Sequence, residues 1–432
     1  MSAEAAVKHP WSEHPLRRSL ANEVHARPFE LLPPPVRASH LAMATGEQAA
    51  GADLRHVTAL CERFGAPPPA ENAIHFTAEL SGFRLRWERH TEFSTYTFYR
   101  FDDFEGDPFA ATALELCPAD WLAGLPGQLL VAVHLALDGV RRSAEELSEV
   151  FAGHSINGST VVMGRGEIFT DFHLHDDGFG RILVYDQGLT HGQAGRLTQR
   201  MLEIETYRAL ALLAFPLARQ MGPELTRMTE ELSAIMSGLA GPEGDEADRE
   251  LMGWLSALAA RAEHLGARNN YRFTASRAYG DLVNRRIEEL REARILGMQS
   301  FGGFLDRRFA PAMQTCESTI KRHAELTKHI SRASNLLRTR VDIALEEKNR
   351  DLLKSMNKRA ELQLRLQETV EGLSVVAISY YSLGLLGYVA KGLKAAGLHI
   401  DSDMTVLFGL PVVAGLVVIG IRRLKKAVVK GH

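Results

Sequence analysis

Asp171, His173, His175 and Asp177 alternate along a segment that reads as a β-strand, with Asp176 on the opposite side. Side chains two apart on a strand share a face, so two imidazoles and two carboxylates there make a donor set suited to a divalent transition metal. Same-face neighbours stand roughly 6.5 to 7 Å apart, however, and one strand seldom gives a single ion more than two ligands. An exposed polar face is the plainer reading of the row. The metal candidate is therefore the pair His173 and His175, with a third ligand from elsewhere, and a divalent metal ion is the one cofactor expected.

A second group lies near the N-terminus, in Asn22-Glu23-Val24-His25-Ala26-Arg27-Pro28. The residue before a proline is held extended. His25 and Arg27 there could bind an anion or phosphate, with the guanidinium as a fork donor. A strap tying the N-terminus down by ion pairs has the same composition and is preferred. Gly153-His154-Ser155-Ile156-Asn157-Gly158 has the wrong spacing for a nucleophile elbow, and Gly178-Phe179-Gly180 reads as a hairpin turn. No Walker loop, His-Glu-x-x-His or paired-cysteine motif occurs, so no catalytic residue is assigned and an enzyme is not expected. Cys61, Cys117 and Cys316 are too scattered for a disulfide framework and fit a reducing compartment.

These residues need elements to hold them. Short apolar or alternating runs fall at 36–44, 74–80, 83–88, 95–101, 129–137, 160–164, 167–175 and 182–186, with helices near 54–64 and 143–150. Ser81-Gly82 suits a tight hairpin. Residues 1–190 are thus expected to be an α+β domain with a mixed or antiparallel sheet. After Leu189 helical periods take over: 191–239 with a kink at Pro216, 245–265 and 276–296, divided by Gly241-Pro242 and Gly302-Gly303, make 191–312 a helical region. Residues 313–371 hold neither Gly nor Pro and read as one long stalk helix. Its narrow apolar stripe includes Leu345, Leu352, Leu366 and Leu373 in a seven-residue, coiled-coil-like register missed only at Arg359. Either an intrachain bundle or a homo-oligomer must cover that stripe.

Leu373 to Ala390 and Met404 to Ile421 are uncharged stretches of 18 residues each, the length a helix needs to cross a bilayer. They define a transmembrane hairpin over 372–424, with spans at about 373–391 and 404–421. Arg422, Arg423, Lys425, Lys426 and Lys430 follow, placing a basic tail at 425–432 and both termini in the cytoplasm, with the short connecting loop outside. No export signal is read at the N-terminus, and the inner membrane is the expected location. Within the first span Ser379, Ser382 and Tyr380 are pore-lining candidates, although small and hydroxyl side chains also serve close helix packing. The 432 residues carry a formal charge of −3 with 45% hydrophobic content, so the expected partners are lipid and further copies of the chain, without nucleic acid.

This order of parts resembles the CorA-type magnesium transporters, in which five stalk helices form a funnel, the first spans line the pore and a Gly-Met-Asn signature ends the first span. The corresponding place here reads Leu386-Gly387-Tyr388-Val389-Ala390-Lys391-Gly392, without that signature. The likeness is one of architecture over residues 313–432, and implies divalent-cation transport without the residues that select the ion. Asn22 to Pro28, preceded by His14-Pro15-Leu16-Arg17, together with Glu371-Gly372-Leu373-Ser374-Val375-Val376-Ala377-Ile378-Ser379-Tyr380-Tyr381, is similar to an uncharacterised family of bacterial membrane-anchored proteins. That resemblance covers nearly the whole chain and implies membrane placement and no particular activity. Two functions are therefore expected: an oligomeric ion channel or transporter, or a membrane-tethered binding, sensing or scaffolding protein.

Overall fold

Alternation builds the centre of the molecule. In β3 (Phe83–Arg89), Phe83, Leu85 and Trp87 alternate with Arg84, Arg86 and Glu88, and in β4 (Phe93–Arg100), Tyr96 and Phe98 alternate with Thr95, Thr97 and Tyr99. Each strand therefore offers an apolar row to one side of a sheet and a polar row to the other. The computed structural model describes residues 12, 14–17, 20–21, 29–46, 51–104, 106–239, 244–396 and 401–429. The remaining strands are β1 (Val36–Ala44), β2 (His75–Leu80), β5 (Gln128–Asp138), β6 (Asn157–Val161), β7 (Gly166–Thr170), β8 (Gly180–Asp186) and β9 (Ala293–Arg294). The helices are α1 (Ala52–Phe64), α2 (Ala119–Ala123), α3 (Ala144–Val150), α4 (His191–Leu212), α5 (Ala214–Leu239), α6 (Asp245–Leu290), α7 (Phe301–Ala395) and α8 (Ser402–Val429). The fold is α+β.

Among the described residues the strands form one 9-stranded sheet in the order β2-β3-β4-β1-β5-β8-β7-β6-β9. Only β5 and β8 pair in parallel. One face packs Leu41, Leu85, Trp87 and Phe98 on Val57 and Leu60 of α1 and Trp121 of α2. The other packs Ala38, Val133, Leu135 and Val184 on Leu197 and Met201 of α4, with Leu290 of α6 and Phe301 of α7 behind them. Burying each such aliphatic side chain contributes roughly 1.5 to 3 kcal/mol, so the two faces supply most of the driving force. β9 enters from far downstream: Ala293 and Arg294 pair with Thr160 and Ser159, covering the β6 edge.

The chain divides into two compact units, Met1–Pro242 with Glu250–Ala333, and Glu243–Arg249 with Ser334–His432. In the first, the break near Pro216 falls three residues earlier, at Leu213, which places the proline in the opening turn of α5 where its missing N–H costs nothing. α6 runs unbroken through the expected gap at 266–275. A Cβ at Gly266 would stand 2.6 Å from the His323 ring of α7, so glycine there permits close helix contact, and His323 Nε2 donates to the Ala262 carbonyl at 2.8 Å. α7 begins at Phe301 and continues through Pro311, because burial of Leu305, Phe309 and Ala312 on both sides outweighs the lost backbone bond.

The polypeptide before β1 crosses α4. Leu32 N–H donates to His191 O at 3.1 Å, and Arg196 lies over the Phe29 ring at 4.6 Å. A Cβ on Gly195 would sit 1.7 Å from the Glu30 carbonyl oxygen, so only glycine admits the crossing. Glu30 then anchors the segment, accepting from Thr77 Oγ1 at 2.9 Å and Arg84 at 3.2 Å.

In the second unit, α7 and α8 each contain a stretch long and apolar enough to cross a membrane. Only 11% and 0% of those stretches are buried, so neither is a core helix of this chain. The two helices meet at small residues: a Cβ on Gly409 would stand 2.5 Å from Leu386, and one on Gly387 3.3 Å from Val406. Along 334–371 the apolar stripe of α7 is open among the described residues, with Leu352, Met356 and Leu366 60%, 59% and 67% exposed.

Candidate metal centre

β7 stops at Thr170, short of the expected His175. Thr170 Oγ1 donates to Arg181 O at 2.8 Å, and Phe172 then takes a left-handed conformation with φ of 56°. Such a conformation is strained for a bulky residue and is held here by stacking of Phe172 on Phe304, centroids 4.2 Å apart. The reversal ends the alternation that would have placed Asp171, His173, His175 and Asp177 on one strand face. The row is a compact loop instead, closed by a turn in which Gly178 N–H donates to His175 O at 2.8 Å.

Within that loop Asp171 is buried and gathers histidines. Its Oδ2 lies 2.7 Å from His154 Nδ1 and 2.9 Å from His175 Nε2, the latter without hydrogen-bond alignment. Its Oδ1 accepts the His173 backbone N–H at 3.2 Å, and its carbonyl oxygen lies 2.8 Å from His173 Nδ1. A carbonyl only accepts, so that ring nitrogen carries the proton and His173 Nε2 is left as the basic one. The His154 ring is 4.6 Å from that of His173 and 5.3 Å from that of His175.

One ligand atom from each of His154, Asp171 and His173 lies within 4.8 Å of the others. A tetrahedral ion with bonds of about 2.0 to 2.2 Å needs its ligands roughly 3.3 to 3.5 Å apart, within reach of small side-chain rotations from the separations seen here. Two imidazoles and a carboxylate leave a fourth position open, as in catalytic zinc sites, and the bond from His173 to a carbonyl is the outer-shell contact that usually orients a metal-binding imidazole. His173 is thus in the group. His175 supports the carboxylate from its buried side and stands outside the three. Asp177 is used by the turn, accepting Phe179 N–H at 2.8 Å.

His154, the ligand from elsewhere, had no signal of its own in the sequence. It follows α3 in a turn where Ala152 and Gly153 both have positive φ, at 51° and 75°, and its ring meets Asp171 beside the end of the β6–β7 ladder. His25 and Arg27 lie outside the described residues. In the first span Ser379 is buried and Ser382 half-buried, whereas Tyr380 is 75% exposed, so the three pore-lining candidates do not share a face. Cys61, Cys117 and Cys316 are buried free thiols.

No curated protein and no solved structure matches the chain. A model described as "Protein of unknown function (DUF3422)" matches residues 12–428, and the chain belongs to that family.

Proposed function

We propose that this is a membrane-tethered metal-binding protein: α7 and α8 anchor it as a hairpin in the inner membrane, and the cytoplasmic α+β unit holds one divalent transition-metal ion at His154, Asp171 and His173. The observation that carries the reading is the buried Asp171 carboxylate enclosed by imidazoles from two separate loops, a donor set that selects zinc, cobalt or nickel over magnesium or calcium. The two largely exposed apolar stretches support the anchor. Further copies of the chain cover the open stripe of α7. The transporter reading rests on order of parts alone, and the spans carry no charged ligand for an ion.

The test uses the full chain in membranes and in detergent. Sodium carbonate leaves it in the membrane fraction; release into the supernatant would overturn the anchor. After chelation and re-exposure to zinc, the protein retains about one ion per chain, and His154→Ala or His173→Ala lowers this severalfold. Equal metal content in all three proteins would overturn the centre.

A further inference from the structure

The polar rows of β3 and β4 do not face solvent. Arg86, Thr95, Thr97 and, on β1, His40 are each 5 to 6% exposed, because α4 lies over them. Elsewhere on the same sheet face the contact with α4 is apolar, through Val133, Leu135, Leu197 and Met201. Over β3, β4 and β1 it opens into a cavity of about 220 Å³ to which α4 also turns polar groups, Gln199, Glu203 and Thr206, and α6 adds Arg286. Two strands, β5 and β8, separate this end of the sheet from β7 and the histidine cluster. A buried polar wall is costly unless its groups are bonded, and a layer needed only for packing would be aliphatic here as it is next door.

We infer that this cavity binds a small neutral polyhydroxylated molecule, a single sugar ring or a cyclic polyol. Its charges are matched within each wall: Arg86 donates to Glu88 at 2.8 Å, and Arg286 pairs with Glu203 and, at 3.1 Å, with Glu289. With two guanidinium groups against two carboxylates in the lining, no net charge awaits a phosphate or a carboxylate ligand. A guanidinium nevertheless has five N–H groups, more than one carboxylate engages, and hydroxyls can share them. His40 bridges the two walls, with Nδ1 2.8 Å from Thr97 Oγ1 and Nε2 3.0 Å from Thr206 Oγ1, and its burial keeps it neutral. The rings of Phe93, Tyr99 and Tyr207 supply flat apolar surface for the C–H faces of a sugar. At about 220 Å³ the space takes one ring with its hydroxyls and no second ring.

Saturation-transfer NMR on the full chain in lipid nanodiscs, which avoid sugar-headed detergents, tests this against three sets of probes: monosaccharides with cyclic polyols, zwitterionic amino acids, and sugar phosphates. A member of the first set binds with millimolar or tighter affinity. Thr95→Val and Gln199→Leu, which keep shape while removing hydrogen-bonding groups, each weaken it by about tenfold with an unchanged melting temperature. Binding by none of the first set, preferential binding of an amino acid or a phosphate, or equal affinity in both variants would overturn the inference.

Discussion

Asp171 Oδ2 and His154 Nδ1 are 2.7 Å apart although 17 residues separate them in the chain. The contact joins the turn after α3 to the loop after β7, just beyond the end of the β6–β7 ladder where Asn157 pairs with Thr170. Removing the carboxylate would leave the half-exposed His154 imidazole and the His173 N–H without this acceptor, a loss of about 1 to 2 kcal/mol per group. Asp171→Ala is therefore expected to lower stability by about 2 to 4 kcal/mol and to abolish cobalt uptake. Asp171→Asn, which keeps an acceptor but not the charge, should lose the metal with a smaller stability cost. Chemical denaturation together with cobalt absorption reads both, and a stable Asp171→Ala protein that still binds cobalt would refute the assignment.

The strap makes a separate prediction. Ala at position 195 would place a methyl group 1.7 Å from the Glu30 carbonyl oxygen, an overlap that only displacement of residues 29–32 relieves. The displacement breaks the contacts of Glu30 with Thr77 and Arg84. Gly195→Ala is expected to cost about 1 to 3 kcal/mol and to open the polypeptide near Phe29 to protease. Unchanged melting and unchanged protection there would show that the crossing is loose.

How far the sequence discloses this molecule depends on the range of the interaction that decides each feature. The strand expected at 36–44 lies at Val36–Ala44, because its short, largely apolar stretch between the Pro33-Pro34-Pro35 run and Gly46 is bounded by local signals. The Ser81-Gly82 turn likewise needs only its own residues. The expected helix end at Leu265 and the expected break at Gly302-Gly303 both lie inside helices, since the packing that carries the chain through them comes from other elements. β9 is 2 residues long and has no periodicity to detect. For the site, His173 and Asp171 were visible as a polar row. The strand reading gave them the wrong geometry because nothing local requires Phe172 to be left-handed; stacking on Phe304 of α7 does so. His154 entered through the fold alone.

Acid should weaken the α+β unit. Burial holds His40 and His134 at about 4, below their ordinary 6.5. Glu88, His90 and Arg86 surround the first, and Asp177, Arg181 and Glu115 the second, with smaller effects. Between these two values the unfolded chain binds protons that the folded chain refuses, so stability is full above about pH 6.5 and falls as the pH drops toward 4. Each histidine accounts for a loss on the order of 3 kcal/mol by the end of that window. His134→Phe preserves the stack on Phe179 and removes the titration, so urea melts followed by tryptophan fluorescence should show a shallower decline with acid. An identical pH profile in the variant would mean that His134 is not buried neutral.

The hairpin can be tested inside the bilayer. Apolar helices in lipid gain nothing from hiding apolar surface from each other, so their association depends on close approach at small residues. Gly409 against Leu386 and Gly387 against Val406 are such approaches. A cysteine pair, Gly387→Cys with Val406→Cys, should oxidise to an intrachain bridge in isolated membranes, the native cysteines being buried in the other unit. Adding Gly409→Leu should force the helices apart and suppress the bridge severalfold, while carbonate-resistant membrane retention persists because each span is apolar enough to stay inserted by itself. A bridge that survives Gly409→Leu would place the contact elsewhere along the helices. Loss of retention in the triple variant would mean that the two helices insert only as a packed pair.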